Sequence, residues 1–259
     1  MTRARQIAIL SPRPEKLARF YTEVLGLKEV ARSNGHVFLS DGHINLALLS
    51  LENNGTGLPG VNHLGFLVAN QEETKRLVLS LEGGPTVREQ PSPFDTPYPE
   101  IQFRDPDGVI FGASEQDWGI SDETKGPKIR HVAVMTRDTE RLARFYTQAL
   151  NLHEVIRRGS NAVYLSDGYI NLAFILTRGN VQPGPNHIGF LVENVEEMRQ
   201  KLLSLEGEFK VTPDELPNVQ GLLFVEHKFR DPEGFVFDIS DTGWATTKEE
   251  AAEFAARAH

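Results

Sequence analysis

Several features that define large classes of protein are missing from this sequence of 259 residues, beginning with cysteine. Without cysteine there are no disulfides, no thiolate nucleophiles and no cysteine-based zinc sites. No apolar run reaches the roughly 20 residues that cross a bilayer, and no lysine and arginine run offers a phosphate-binding stripe. Residues 1–10, MTRARQIAIL, lack the apolar region and cleavage site of a secretory signal. We therefore expect a cytoplasmic protein that binds neither membrane nor nucleic acid.

The composition is otherwise that of a globular protein with a substantial core. Hydrophobic residues make up 39% of the chain and charged residues 24%, and the formal net charge is −9. These proportions are ordinary for a folded domain. The length allows one large domain or two of common size.

The second half of the chain repeats the first, which decides between those two possibilities. Four segments recur in the same order with small changes of spacing. They are 7–21 with 132–146, SDGHINLA at 40–47 with SDGYINLA at 166–173, NHLGFLV at 62–68 with NHIGFLV at 186–192, and FRDPDG at 103–108 with FRDPEG at 229–234. We predict two homologous domains, 1–119 and 128–245, with a linker at 120–127 and a helical tail at 246–259.

Each half shows the pattern of a strand, a helix and three strands, followed by the same series again. Residues 129–135 read as a strand, and Asp138 can cap a helix. Apolar residues then recur with helical spacing, which predicts a buried helix face in each half; they are Leu17, Phe20, Tyr21, Val24 and Leu25, and Leu142, Phe145, Tyr146, Ala149 and Leu150. Asn70 with Glu73, and Asn194 with Glu197, have the spacing of capping boxes that open a second helix.

Three residues of the second half, His131, His187 and Asp238, align with positions of the first half at which only the histidine at His187 is kept. The matching positions hold Gln6, His63 and Gly112. Two imidazoles and a carboxylate kept together in one copy only indicate a single metal site. We expect His63 to be structural or vestigial and the first domain to bind no metal.

The order of these motifs resembles that of the vicinal oxygen chelate superfamily. It includes glyoxalase I, bleomycin-resistance proteins, fosfomycin-resistance enzymes and type I extradiol dioxygenases. The resemblance covers about residues 5–118 and 128–244. It implies an α+β fold in which each domain joins two βαβββ modules into a half-open barrel. Four modules in total are similar to the layout of extradiol dioxygenases, where only the C-terminal half carries iron.

The resemblance also implies a ligand set. It places metal ligands at His131, His187 and Asp238, which would leave three coordination positions open for substrate and oxygen. Fe(II) is the leading candidate, followed by Mn(II), and this ligand set also admits Zn(II) and Ni(II). The implied activity is ring cleavage of a catechol-like aromatic diol by a mononuclear, metal-dependent, extradiol-type dioxygenase.

The chain departs from the extradiol pattern at three places. Those enzymes carry Glu where Asp238 stands, Tyr where Lys228 stands, and an acid/base histidine just before the position of His187. We therefore name Lys228 as a candidate catalytic residue that donates a hydrogen bond or stabilises an oxyanion. His227 is a weaker candidate as a base, because strand alternation turns it away from the face of Lys228.

Tyr169 and Asn171 are candidate substrate-binding residues, because they share one side of a strand. We expect three further histidines, His36, His153 and His259, to lie at the surface. We also expect a small-molecule substrate and a homo-oligomer. Two alternatives stay open: a non-oxidative metal-dependent lyase, isomerase or hydrolase, and a metal-free binding protein of the resistance type.

Overall fold

Two similar halves, each built on an eight-stranded mixed sheet with flanking helices, make up the fold. The computed structural model describes residues 2–52, 58–82, 85–87, 97–122, 124–214 and 224–257. The predicted α+β class and the duplicated arrangement of modules are confirmed. His259 lies outside the described residues. Within the described ranges, no helix combines the length and the apolar character needed to cross a membrane.

The described residues of the first half form eight strands and two helices. In chain order they are β1 (Arg3–Ser11), α1 (Pro14–Glu23), β2 (Lys28–Ser33), β3 (His36–Ser40), β4 (Asn45–Ser50), β5 (Gly60–Leu67), α2 (Gln71–Ser80), β6 (Thr86–Val87), β7 (Ile101–Arg104) and β8 (Ile110–Ser114).

The second half repeats this series and adds a terminal helix. Its elements are β9 (Lys128–Thr136), α3 (Thr139–Leu150), β10 (His153–Arg158), β11 (Ala162–Ser166), β12 (Asn171–Leu176), β13 (Gly184–Leu191), α4 (Val195–Leu203), a 3₁₀ turn (Gly207–Phe209), β14 (Thr212–Pro213), β15 (His227–Arg230), β16 (Val236–Ser240) and α5 (Lys248–Arg257).

The first strands of the two modules lie side by side at the centre of each sheet. In the second half the strand order is β10-β11-β12-β9-β13-β16-β15-β14, and in the first half it is the equivalent β2-β3-β4-β1-β5-β8-β7-β6. The central pair β9 and β13 is antiparallel, whereas β12 runs parallel to β9 and β16 runs parallel to β13. This arrangement brings four strands from distant parts of the sequence into one continuous surface.

The helices begin where the sequence predicts. Asp138 caps α3 through a bond from the Arg141 amide, and Asn70 and Asn194 cap α2 and α4 in the same way. A side-chain oxygen at this position satisfies an amide that has no partner inside the helix. Both predicted apolar stripes, on α1 and on α3, are buried.

The first helix of each half also packs against the sheet of the other half. Tyr21 of α1 stacks on Phe190 of β13 at 6.1 Å between ring centroids, and Tyr146 of α3 lies 6.1 Å from Phe66 of β5. The main hydrophobic core therefore contains residues from both halves. Burial of this aromatic surface stabilises the contact between them.

His36 corrects one expectation from the sequence, because its side chain is buried rather than at the surface. Its Nδ1 accepts a 2.9 Å hydrogen bond from the Ser50 amide at the end of the neighbouring strand. A buried imidazole is tolerated where it satisfies a backbone amide in this way. His153 is exposed, as expected.

Candidate metal centre

Strand register brings the three predicted ligands to one face of the second sheet. His131 on β9 and Asp238 on β16 are both paired with Gly189 of β13, one on each side. His187 lies two residues before Gly189, so its side chain points to the same face. Since Gly189 has no side chain, the space above it is available to the side chains of His131 and Asp238.

The donor atoms of the triad converge in a buried position. One ligand atom from each of His131, His187 and Asp238 lies within 4.8 Å of the others. Nε2 of His187 is 3.1 Å from Oδ2 of Asp238. The three residues are 2%, 7% and 0% exposed, respectively.

Two asparagines orient the imidazoles. The Nδ2 group of Asn171 donates to the carbonyl of Ala245 at 2.6 Å, which turns its Oδ1 toward Nδ1 of His131 at 3.0 Å. An amide oxygen only accepts, so Nδ1 carries the proton and Nε2 keeps its lone pair. Oδ1 of Asn186 holds Nδ1 of His187 at 2.8 Å in the same manner. Hydrogen bonds of this kind fix metal-binding histidines in the correct tautomer.

Electrostatics favour a neutral imidazole beside an ionised carboxylate. Burial, followed by the neighbouring His187, lowers the pKa of His131 to about 3. Burial alone would raise the pKa of Asp238, but His187 and then Lys228 hold it below its ordinary value. Near neutral pH, His131 is uncharged and Asp238 is negative, which are the forms that bind a metal ion.

Lys228 on β15 reaches into the triad. Its Nζ donates to Oδ2 of Asp238 at 2.5 Å and lies 3.2 Å from Nε2 of His187. Burial lowers the pKa of Lys228, but the carboxylates of Asp238 and Glu226 outweigh this effect and raise it. The side chain is therefore a fixed ammonium group in contact with two members of the triad, His187 and Asp238.

Trp244 closes one side of the centre. Its ring stacks on His131 with 4.8 Å between centroids and an interplanar angle of 8°. Its Nε1 donates to Oε1 of Glu226 at 2.6 Å, while Oε2 of Glu226 lies 3.1 Å from Nζ of Lys228. Tryptophan, glutamate and lysine thus form one hydrogen-bonded chain that ends at Asp238.

The residues present fit a divalent metal ion. Oδ1 of Asp238 is buried and has no hydrogen-bond partner among the residues that the structure describes. A buried carboxylate oxygen without a partner is costly unless a cation or a proton compensates it. Two imidazole nitrogens and one carboxylate are the donor set of a facial triad, which suits Fe(II) and admits other borderline ions.

An apolar wall extends from the triad across β12, β11 and β10. Tyr164 pairs with Ala173 of β12, which itself pairs with Ala133, two residues after His131. Phe254 of α5 packs over this wall, edge-on to Phe224 at 5.0 Å between ring centroids. The complete cluster contains Val155, Ala162, Tyr164, Ala173, Phe224, Trp244 and Ala245, with Ile156, Ile175, Ala251 and Phe254 at its margin.

Both halves of the chain match one known protein family. Residues 3–112 and 128–239 each match the Glyoxalase/Bleomycin resistance protein/Dioxygenase superfamily. The chain belongs to this superfamily. No curated protein matches it in sequence.

Solved structures of the same superfamily share its fold at low identity. The 2,3-dioxygenase LapB from Pseudomonas sp. KL28 is 18% identical with a TM-score of 0.71, covering 93% of this chain and 92% of that one. A Mn(II)-bound glyoxalase from Novosphingobium aromaticivorans is 19% identical with a TM-score of 0.67, covering 93% and 83%. Homoprotocatechuate 2,3-dioxygenase from Arthrobacter globiformis is 17% identical with a TM-score of 0.67, covering 92% and 79%.

Of the other predicted site residues in this superfamily member, Asn171 lies at the triad, whereas Tyr169 and His227 lie away from it. Asn171 supports His131, as described above. Tyr169 does not face the triad: its ring stacks on His43 of the first half at 4.5 Å and lies under the guanidinium of Arg130 at 4.5 Å. His227 pairs with Ile239 of β16, whereas the next residue, Lys228, pairs with Asp238, so strand alternation turns His227 to the opposite face.

Glu226 and Trp244 are site residues that the sequence reasoning missed. Both recur in the first half at a shift of 126, as Glu100 and Trp118. A glutamate and a tryptophan at equivalent positions of both copies could have indicated that these residues belong to the site. Their role became visible only once the sheet had brought them beside Lys228 and His131.

Proposed function

We propose that this protein is a mononuclear metal-dependent dioxygenase of the extradiol type that cleaves a catechol-like aromatic diol. The observation that carries the proposal is the buried convergence of His131, His187 and Asp238, with tautomers set by Asn171 and Asn186. Three protein ligands leave coordination positions for two substrate oxygens and for dioxygen. The similarity in fold to two ring-cleaving dioxygenases supports the same conclusion.

The three ligands would hold Fe(II), and the bound ion would lower the pKa of a substrate hydroxyl and bring dioxygen next to the ring. Lys228 would place its ammonium against the substrate oxygen that loses its proton. A fixed positive charge in a buried site stabilises developing negative charge more strongly than it would in water. Glu226 keeps that ammonium in place through its 3.1 Å contact.

The apolar wall suits an aromatic substrate. Tyr164 and Phe224 pack edge to face at 5.8 Å, and this arrangement lies on the same face of the sheet as the triad. Aromatic rings bind well against such surfaces. The guanidinium of Arg158 hydrogen-bonds the hydroxyl of Tyr164, whose pKa is raised by burial. Tyr164 would therefore stay protonated and available to a polar substituent of the substrate.

The test is anaerobic reconstitution with Fe(II), followed by a panel of catechols with oxygen uptake and product absorbance recorded together. We expect one dioxygen consumed for each diol cleaved. Asp238→Ala should lose both iron and turnover, whereas the exposed Asp122→Ala should keep both. An iron-loaded protein that consumes no oxygen with any diol would contradict the activity. Normal iron binding by Asp238→Ala would contradict the ligand assignment.

A second candidate, a non-oxidative lyase or isomerase that acts through an enolate, is favoured by the position of Lys228. An ammonium at 2.5 Å from Asp238 is suited to stabilise an enolate oxygen in a reaction that needs no dioxygen. Substrate turnover under nitrogen would favour this candidate over ring cleavage. A reconstituted chain that binds neither Fe(II), Mn(II), Zn(II) nor Ni(II) would instead favour metal-free binding of a small molecule.

A further inference from the structure

The first half contains a histidine–carboxylate pair at the place that corresponds to the metal centre. Oε1 of Glu100 lies 3.3 Å from Nε2 of His63. Glu100 is the counterpart of Glu226, which contacts Trp244 and Lys228 instead of a histidine. The same residue type therefore serves a different purpose in each half.

Gly112 provides the room for this change. A Cβ atom at Gly112 would lie only 1.9 Å from Oε2 of Glu100. Gly112 pairs with Gly65 as Asp238 pairs with Gly189. The carboxylate of Glu100 thus fills the space that the Asp238 side chain takes in the second half. A carboxylate therefore lies at this point in both halves, but in the first half it belongs to Glu100 and not to the residue equivalent to Asp238.

Three polar atoms around this pair are buried without hydrogen-bond partners in the part of the chain that the structure describes. They are Nε2 of His63, Oε2 of Glu100 and Nε1 of Trp118. Trp118 lacks the bond that Trp244 makes, because Glu100 has turned toward His63. The side chains of His63 and Glu100 are only 3% and 8% exposed. Unsatisfied polar groups at this depth need a compensating ligand or proton.

The tautomer of His63 shows what kind of ligand is needed. Oδ1 of Asn62 holds Nδ1 of His63 at 2.8 Å, so Nδ1 carries a proton. In the neutral imidazole, Nε2 then directs a lone pair toward the carboxylate of Glu100. Two electron-rich atoms at this separation repel each other unless a positive charge lies with them. The position that Lys228 takes in the second half holds uncharged Gln102, whose Nε2 donates to Oε1 of Glu100 at 2.6 Å.

We propose that the first half holds a second, weaker divalent-cation site formed by Nε2 of His63, the carboxylate of Glu100 and the side-chain oxygen of Gln6. Gln6 pairs with Gly65 as His131 pairs with Gly189, so it faces the pair. Its Nε2 lies 3.5 Å from Oδ1 of Asn45, which leaves the side-chain oxygen for the cation. One imidazole and two oxygen donors suit a first-row ion such as Mn(II). This site departs from the expectation that the first domain binds no metal.

The site is tested by titrating Mn(II) into the metal-stripped full chain and following free Mn(II) by electron paramagnetic resonance. We expect two classes of site in the wild-type protein. In Glu100→Gln, which keeps the shape of the side chain, the weaker class should disappear or bind at least roughly tenfold less tightly, because even the loss of a group that supports a ligand weakens metal binding by about 10- to 100-fold. The tighter class should be unchanged. The exposed Glu23→Gln serves as the matched control and should bind like the wild type.

A second titration uses a chain in which the triad is disabled by His187→Gln and Asp238→Asn. Saturable Mn(II) binding should remain at one ion per chain and should be lost on adding His63→Gln. Circular dichroism checks that each variant is folded. A single class of site in the wild type, or weak binding that Glu100→Gln and His63→Gln leave unchanged, would overturn the proposal. In that case His63 and Glu100 form only an ion pair.

Discussion

The hydroxyl of Tyr21 in the first half donates a 2.9 Å hydrogen bond to Oδ2 of Asp231 in the second half. Tyr146 makes the reciprocal contact, at 3.2 Å, with Asp105 of the first half. Both aspartates lie in the repeated DPxG turns, where they also cap backbone amides. Each turn is therefore tied to the first helix of the opposite half. The two contacts make the junction between the halves sensitive to the charge of two buried carboxyls.

Asp231→Asn should reduce the dependence of stability on pH. Burial raises the pKa of Asp231 from 3.8 to about 6. The folded protein holds this proton more tightly than the unfolded chain, so the associated stability is present below pH 3.8 and is lost as the pH rises through about 6. Over that window, unfolding by urea should show the wild type losing up to about 3 kcal/mol relative to Asp231→Asn. Asp122→Asn, at an exposed site, should follow the wild type; an Asp231→Asn profile parallel to the wild type would contradict the prediction.

Asn171→Ala should weaken metal binding at the triad without removing a ligand. The substitution removes the Oδ1 that holds Nδ1 of His131 at 3.0 Å, so the imidazole is free to rotate and change tautomer. Supporting contacts of this kind contribute roughly 10- to 100-fold to metal affinity. The dissociation constant of the tighter site is measured by competition with a chelator. Asn45→Ala, the matched change in the first half, should leave that constant unaltered. Equal effects of the two substitutions would argue against the role of Asn171 in orienting His131.

Lys228→Met should separate metal binding from turnover. The ammonium is not a ligand, so iron content should stay at the level of the wild type. Its loss removes the positive charge beside the substrate oxygen and should lower kcat/KM by a factor on the order of 100. Lys210→Met, at an exposed position, controls for the loss of a lysine. Full activity of Lys228→Met with any substrate that the wild type turns over would exclude a catalytic role.

Gly189→Ala should damage both stability and the metal centre. A Cβ at this position would lie 2.5 Å from Cη2 of Trp244 and 2.9 Å from Cβ of His131. Crowding of this kind costs about 1–3 kcal/mol, and the displaced His131 should bind metal less tightly. Gly65→Ala meets Trp118 at 2.7 Å in the first half. It should lower the melting temperature to a similar extent and leave the metal affinity of the triad unchanged. An equal loss of metal affinity in Gly65→Ala would contradict a local effect of Gly189→Ala on the triad.

The duplicated α+β architecture, the caps of three helices and the three residues of the triad could be predicted from the sequence. These properties follow from local patterns: apolar spacing sets a helix face, and an asparagine or aspartate at the right position satisfies free amides. The two copies differ at two positions of the triad, since the equivalents of His131 and Asp238 are Gln6 and Gly112. The third residue, His187, is a histidine in both copies. No knowledge of side-chain orientation was needed for those steps.

The contacts of the polar side chains around the triad could not be predicted from the sequence, because they depend on how the strands are arranged in the folded sheet. Register placed Lys228 opposite Asp238. Tyr169 lies in the bend before β12, which begins at Asn171, and there its ring stacks on His43. The space above Gly112 let Glu100 turn toward His63, while its counterpart Glu226 stays with Trp244. These outcomes depend on distances between strands that are remote in sequence and on the volume that each neighbour leaves free. Such distances arise only when the sheet is assembled, which is why the repeat pointed to the three residues of the triad but not to their surroundings.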